Sequence, residues 1–266
     1  MAAPDTRTGR FDPGGRRVCF LAANTDTGRR VSGRVLNPVE RAVGWAVGVP
    51  FASWRYASRE IEIRHEQSNC GWPIDAFPED DARHPGEPEL VQRPSGGFGA
   101  AFHRRYAVTI ERPLLDAEEL MSIVLADPNV ACPLEIGRFE RERESSHPIE
   151  VGEEIRVRLP GPWNGPVRVI AVSETSFRLA TLRGHMEAGE IEFRARDDGD
   201  RLVFEIESWA RSSDRVFDFL YDRVGIAREL QLDMWAFFLE RVAQVTGGVP
   251  AHGIEVRTLR CDDHPF

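Results

Sequence analysis

The sequence predicts an α+β domain in which an antiparallel sheet of seven strands wraps a long C-terminal helix. Residues 102–111 alternate between apolar and polar side chains, and residues 134–211 contain six further alternating runs. Residues 214–246 then repeat apolar side chains every three or four positions. Because a sheet and a helix each have one apolar face to bury, we expect them to pack together. A sheet followed by a long C-terminal helix is the element order of a helix-grip domain.

Each element has a local signature. The first strand places Tyr106, Val108 and Ile110 on one face, and Asp116 with Glu119 three positions later predicts a capped helix that ends near residue 125. The six following runs are separated by turn-forming residues at 161–162, 173–174, 184–189 and 197–200. The long helix is predicted from Asp214 to Thr246, where two glycines end it.

The residues outside this pattern suggest four segments. We predict an N-terminal tail and docking helix over 1–66, a Pro-rich acidic linker over 67–98, the helix-grip domain over 99–248 and a C-terminal tail over 249–266. The docking helix begins at Pro38, after the capping residue Asn37. We expect the segment from Pro38 to Trp54 to cover an apolar patch on the outer face of the sheet, and a homodimer interface is the alternative. The patch contains Ile170, Val172, Leu182, Val203 and Trp209.

Composition excludes several classes of chemistry. The chain has 266 residues, and all 34 of its basic residues are arginine. Without lysine there is no Schiff-base amine, no anchor for pyridoxal phosphate and no P-loop lysine. The formal net charge of -9 argues against a nucleic-acid partner, because such binding needs a basic surface.

Cysteine spacing and hydropathy bear on location. The four cysteines form no CxxC pair, so we interpret them as unpaired thiols in a reducing compartment. The N-terminus lacks the pattern of a signal peptide, and the longest apolar stretch, residues 43–54, is too short to span a membrane. These features predict a cytoplasmic protein without a membrane span.

Residues 161–211 resemble a known family. The motifs are Thr181-Leu182, Gly184-His185, Gly189-Glu190 and Phe193, followed by a strand that runs from Phe204 to Arg211. They are similar to the bacterial and plant family called domain of unknown function nineteen-ninety, over roughly residues 100–247. That family is grouped with START-like and polyketide-cyclase-like lipid-binding domains, so the resemblance implies a helix-grip fold. The usual Ser-Arg-Pro ending of the family's last strand is Ala210-Arg211-Ser212 here, and the resemblance transfers no catalytic residue.

His185 and Glu190 are the candidate catalytic residues. They lie at the two ends of a glycine-bounded hairpin, where a histidine near a carboxylate could move protons at neutral pH. The alternative is that they only stabilise the hairpin. A metal site of His185, Glu187 and Glu190 is a weaker interpretation, and we predict neither a metal nor a cofactor.

The candidate ligand-binding residues are those expected to face the space between sheet and helix. Thr181 and Ser208 are the polar members from the sheet, although a buried hydroxyl more often bonds to the backbone. Of Arg104 and Arg105 at most one can face the pocket and hold an anionic group, and a surface pair is the alternative. The full set is Phe177, Leu179, Thr181, Phe193, Phe204, Ile206, Ser208, Tyr221, Gln231 and Trp235.

Three functional hypotheses follow. The first is a protein that binds a small apolar or amphipathic molecule between sheet and helix. The second is a cyclase, dehydratase or hydrolase on the same fold that uses His185 and Glu190 as an acid–base pair. The third is a structural or interaction protein whose interior is filled by side chains.

Overall fold

In the computed structural model, the described residues are 62–69, 90–132, 137–141, 147–158, 164–215 and 226–262. They form strands β1 (Ile63–Asn69), β2 (Phe98–Glu111), β3 (Arg138–Arg141), β4 (Glu154–Arg158), β5 (Asn164–Val172), β6 (Ser176–Thr181), β7 (Glu187–Asp198), β8 (Arg201–Ser212) and β9 (Val249–Cys261). The two helices of this part of the chain are α1 (Ala117–Ala126) and α2 (Ile226–Val245).

The nine strands form one sheet in the order β1-β9-β2-β8-β7-β6-β5-β4-β3. Neighbours from β9 to β3 pair antiparallel, whereas β1 and β9 pair parallel. The strands from β3 to β8 follow each other in both sequence and space, which is the meander that the six alternating runs predict.

The predicted number of seven strands is wrong, because β1 and β9 also belong to the sheet. The segment that we predicted as a C-terminal tail forms β9, which lies between β1 and β2. Its inner-facing residues Ile254, Val256 and Thr258 are each at most 3% exposed. β1 is an edge strand in which only Ile63 packs against the core, so it has almost no apolar pattern to detect.

Both helices agree with the sequence prediction, α1 in its capped start and α2 in its position along the chain. α1 starts with a capping box, in which the Asp116 side chain accepts from the Glu119 N–H and the Glu119 side chain accepts from the Asp116 N–H. α2 lies within the predicted range of 214–246, of which residues 216–225 are outside the described part of the chain. α2 contacts β2, β8 and β9, as expected for a helix gripped by a sheet.

The core centres on aromatic side chains between sheet and helix. Phe193 on β7 stacks on Phe177 of β6 with 4.5 Å between ring centroids. It also meets Trp235 and Phe238 of α2, with centroids at 5.4 and 5.6 Å. These contacts join neighbouring strands to the helix in one cluster.

The outer face of the sheet carries an array of charged side chains. Arg194 lies 3.0 Å from Glu205 and 3.4 Å from Glu207, and Arg105 pairs with Glu205. Trp209 of the predicted apolar patch lies on the same face, where its ring stacks on His103 at 5.3 Å. Val172 was wrongly assigned to this patch, because a bulge in β5 between Val169 and Ala171 places it opposite Phe177 on the inner face, packed against the core. The predicted docking segment, Pro38 to Trp54, lies outside the described residues, so docking stays a prediction.

The cysteines differ from the prediction. Cys132 is a buried free thiol, but Cys261 at the end of β9 is disulfide-bonded. The interpretation of all four cysteines as unpaired is therefore wrong for Cys261. One of the grounds for a cytoplasmic location is removed with it.

Substitution of Ile254 by alanine tests whether β9 is part of the core. Ile254 is fully buried, so Ile254→Ala should lower the free energy of unfolding by about 2 to 5 kcal/mol in urea denaturation. The matched control is Glu255→Ala at the next, exposed position, which should change stability by less than about 0.5 kcal/mol. Similar small effects of both substitutions would show that β9 is a dispensable tail.

Candidate functional site

A cavity lies between the sheet and the first half of α2. It has a volume of about 70 Å³ and is bordered by strands β3 to β8 and by α2. Apolar side chains form most of its wall, and the polar residues gather at the ends of β7 and β8. The residues that line it are Phe139, Val157, Val167, Leu179, Thr181, His185, Met186, Glu187, Gly189, Glu190, Ile191, Ser208, Ala210, Gln231, Met234 and Trp235.

The turn between β6 and β7 forms one end of the cavity and is clamped by Gln92. The Gln92 side-chain amide donates to the carbonyl oxygens of His185 and Glu187, both at 3.0 Å. Its backbone N–H donates to the Thr181 carbonyl at 2.8 Å. Gln92 lies in the segment that the sequence predicts as a linker, so this clamp was not anticipated.

Backbone geometry fixes the state of the His185 ring. The Glu187 backbone N–H donates to His185 Nδ1 at 2.9 Å. The Glu187 carbonyl oxygen is 3.2 Å from the same atom. Since a backbone N–H always carries its proton, the shorter contact assigns Nδ1 as the acceptor and the proton of the neutral imidazole to Nε2. Burial lowers the pKa of His185 to about 4, although the nearby Glu187 carbonyl oxygen acts in the opposite direction because it favours a protonated ring.

This state limits the chemistry that His185 can perform. The lone pair of Nδ1 is engaged by the backbone, and Nε2 already holds a proton. At neutral pH the ring is therefore neither charged nor equipped with a vacant acceptor for a substrate proton. His185 can offer a hydrogen bond from Nε2 but is poorly arranged to act as a general base.

Glu187, rather than Glu190, is the carboxylate on the inner face of β7. Glu187 Oε2 accepts from the Gln231 side chain at 2.9 Å, and Oε1 lies 3.6 Å from Nη1 of Arg104. Burial raises the pKa of the Glu187 carboxyl, and Arg104 and Gln231 offset this only in part. Glu190 lies between Gly189 and Ile191 and therefore faces the opposite side of the sheet, where its carboxylate is 3.6 Å from Arg178.

Two buried donors at the cavity have no hydrogen-bond partner among the described residues. They are the Ser208 hydroxyl and the Trp235 indole N–H, in side chains of residues that are 3% and 7% exposed. The Thr181 hydroxyl differs, since it bonds to the backbone of Gly189 and Gln92. The sequence expectation for buried hydroxyls therefore holds for Thr181 and not for Ser208.

The structure brings part of the predicted ligand-binding set to the cavity. Leu179, Thr181, Ser208, Gln231 and Trp235 line it. The other four sheet residues of that set pack in the core away from the cavity, and each is at most 1% exposed: Phe177, Phe193, Phe204 and Ile206. Tyr221 lies outside the described residues.

Strand alternation separates the two adjacent arginines. Arg104 faces inward and is 2% exposed, with Nη1 at 3.3 Å from Oε1 of Gln231. Arg105 faces outward to Glu205. The interpretation as a surface pair is therefore wrong for Arg104. Among the residues that the structure describes, no three His, Cys, Asp or Glu side chains form a metal-binding group.

Residues 137–244, which contain all the residues that line the cavity, match the family model described as Domain of unknown function (DUF1990). Over these residues the chain is similar to the DUF1990 family. The resemblance inferred from the motifs between Thr181 and Arg211 is confirmed. No curated protein matches the chain.

Solved structures that are similar to part of this chain share little sequence with it. DynU16, a protein of the dynemicin biosynthetic locus, is 15% identical over 55% of this chain and 48% of its own, with a TM-score of 0.38. Norcoclaurine synthase from Thalictrum flavum is 12% identical over 55% of this chain and 86% of its own, with a TM-score of 0.40. A hypothetical protein of Helicobacter pylori is 8% identical over 53% and 86%, with a TM-score of 0.41.

The described helices of the chain include none that is long and apolar enough to cross a membrane.

The state of His185 predicts how stability depends on pH. Its pKa in the folded protein, about 4, is below the ordinary 6.5, so the unfolded chain binds more protons between these values and stability falls as pH decreases. The contribution of Glu187 to the pH dependence has the opposite sign. Its pKa is raised in the folded protein, so stability decreases as pH increases. Replacing His185 with asparagine, which keeps an acceptor for the Glu187 N–H, removes only the first effect.

Urea denaturation at pH 7 and pH 5 measures this contribution. The loss of stability on acidification should be smaller in His185→Asn than in the unmodified protein by about 1 to 2 kcal/mol. Equal losses in the two proteins would show that His185 titrates normally in the fold.

Proposed function

We propose that this protein binds a small molecule, apolar over most of its surface, in the cavity between its sheet and α2. The observation that carries the proposal is an apolar cavity at one end of an otherwise packed core, with a few polar groups gathered at one side of its wall. Ligand sites in proteins combine many apolar side chains with a small number of polar groups in this way.

The cavity volume limits the size of the ligand. An engineered apolar cavity of about 150 Å³ binds benzene, and the cavity here has about half that volume. Met186 and Met234 belong to its wall, and unbranched thioether side chains change rotamer easily. We infer that the ligand has a single small ring or a short chain, and that the two methionines move to admit it.

The enzymatic alternative has weaker support. His185 has its Nδ1 lone pair occupied, and the carboxylate of Glu190 lies with Arg178 on the outer face. An acid–base mechanism would have to use Glu187, whose raised pKa favours proton exchange near the cavity. The third alternative, a completely filled interior, is disfavoured by the cavity itself. The homodimer and the cytoplasmic location stay predictions.

Filling the cavity tests the proposal. Ala210 lines the wall, so Ala210→Val should reduce the affinity for a small apolar probe such as methylenecyclopentane at least tenfold in ligand-observed NMR titrations. Stability should be unchanged or increase by about 1 kcal/mol, because the added methyl groups occupy empty space.

Ala107→Val is the matched control. It makes the same substitution on a neighbouring strand, β2, but on the outer face of the sheet. The probe should bind this variant as it binds the unmodified protein. Undiminished affinity of Ala210→Val, or no binding of the probe to the unmodified protein, would contradict ligand binding in this cavity.

A further inference from the structure

The polar side chains of the cavity wall indicate the chemical class of the ligand. The Ser208 hydroxyl and the Trp235 N–H are buried, and neither has a hydrogen-bond partner among the described residues. Burying a donor without a partner is unfavourable. Two such donors in residues of one cavity wall indicate that their partner belongs to the ligand.

The two residues line the cavity from opposite layers, Ser208 from the sheet and Trp235 from α2. Ser208 on β8 is paired with Ile191 on β7. The Trp235 ring of α2 meets Phe193, which is two positions from Ile191 on the same inner face, with centroids 5.4 Å apart. Ser208, Ile191 and Trp235 all line the cavity, so one small group there can be near both donors.

The acceptors of the wall are already occupied. The Glu187 carboxylate accepts from Gln231 and lies next to the Arg104 guanidinium. The Thr181 hydroxyl bonds to the backbone of Gly189. What the wall lacks is therefore an acceptor to meet Ser208 and Trp235.

The charges around the cavity balance each other. Arg104 and Glu187 form a buried pair on the inner face, and burial keeps His185 neutral at pH 7. The charged neighbours of the adjoining strands, Glu190 and Arg178, pair with each other on the outer face. A ligand with a net charge would be a buried charge without a partner, which is strongly unfavourable.

We propose that the ligand is a small neutral carbonyl compound, a ketone or an aldehyde, whose oxygen accepts from Ser208 Oγ and Trp235 Nε1. A carbonyl oxygen has two lone pairs and no proton, so it can accept both bonds at once. This inference rests on the proposed binding function and adds the chemical class of the ligand.

A matched pair of probes separates the polar contribution from the apolar one. Cyclopentanone and methylenecyclopentane have nearly the same shape and differ in C=O against C=CH₂. Ser208→Ala should weaken the binding of cyclopentanone at least fivefold and leave that of methylenecyclopentane within twofold of its original value. Retained binding of the hydrocarbon also shows that the variant is folded.

Trp235→Phe gives an independent test of the second donor. It keeps an aromatic ring near Phe193 but removes the indole N–H. The affinity for cyclopentanone should again decrease at least fivefold relative to that for methylenecyclopentane. The ratio of the two dissociation constants is the readout, because the smaller ring changes the space available to both probes.

The outcomes distinguish this inference from the proposed function. If each variant changes the affinities for cyclopentanone and methylenecyclopentane by the same factor, the carbonyl assignment is overturned and the binding function stands. Cyclopentanecarboxylate or cyclopentanol binding as tightly as cyclopentanone would also overturn it, in favour of an anion or an alcohol. If neither cyclopentanone nor methylenecyclopentane binds the unmodified protein, the binding function fails, and the inference fails with it.

Discussion

The aromatic cluster around Phe193 determines where sheet and helix meet. Phe193 is fully buried and contacts Phe139 and Phe177 from the sheet and Trp235 and Phe238 from α2. Close packing of these large rings sets the distance between the two layers. The second half of α2 continues this contact with small and branched apolar side chains, so the layers are in full contact there: Leu239, Val242 and Ala243 are each at most 2% exposed.

The cavity begins on the other side of Phe193. Along β7 the inner positions change from Phe193 to Ile191, Gly189 and Glu187, and along β8 they change from Ile206 to Ser208 and Ala210. Glycine, alanine and serine are too small to fill a gap that bulky rings hold open. The gap is therefore a consequence of side-chain size at alternate strand positions, on a backbone that continues without interruption.

This explains how far the sequence predicts the molecule. Strands β2 to β8 and the cap of α1 could be predicted because alternation and capping are local signals. β9 was missed because Pro250 and Gly253 interrupt a short alternating pattern, and its place in the sheet depends on pairing with β2, which is distant in sequence. The alternation of β7 could also have identified Glu187 instead of Glu190 as the carboxylate on the inner face, because Glu187 shares the face of Ile191 and Phe193. The separation of cavity residues from core residues depends on how α2 packs, which no local pattern encodes.

The buried pair of Arg104 and Glu187 is better explained by the site than by stability. Removing two charges from water is costly, and well-packed apolar residues in their place are often equally or more stable. Here the pair lies next to the cavity wall, where Glu187 also accepts from Gln231 of α2. The pair holds the polar end of β7 to the helix, and each charge neutralises the other. If the cavity binds a ligand as proposed, Ser208, Trp235 and the Nε2–H of His185 are the polar groups of the wall left to meet it, and the pair would contribute specificity by occupying the other polar contacts.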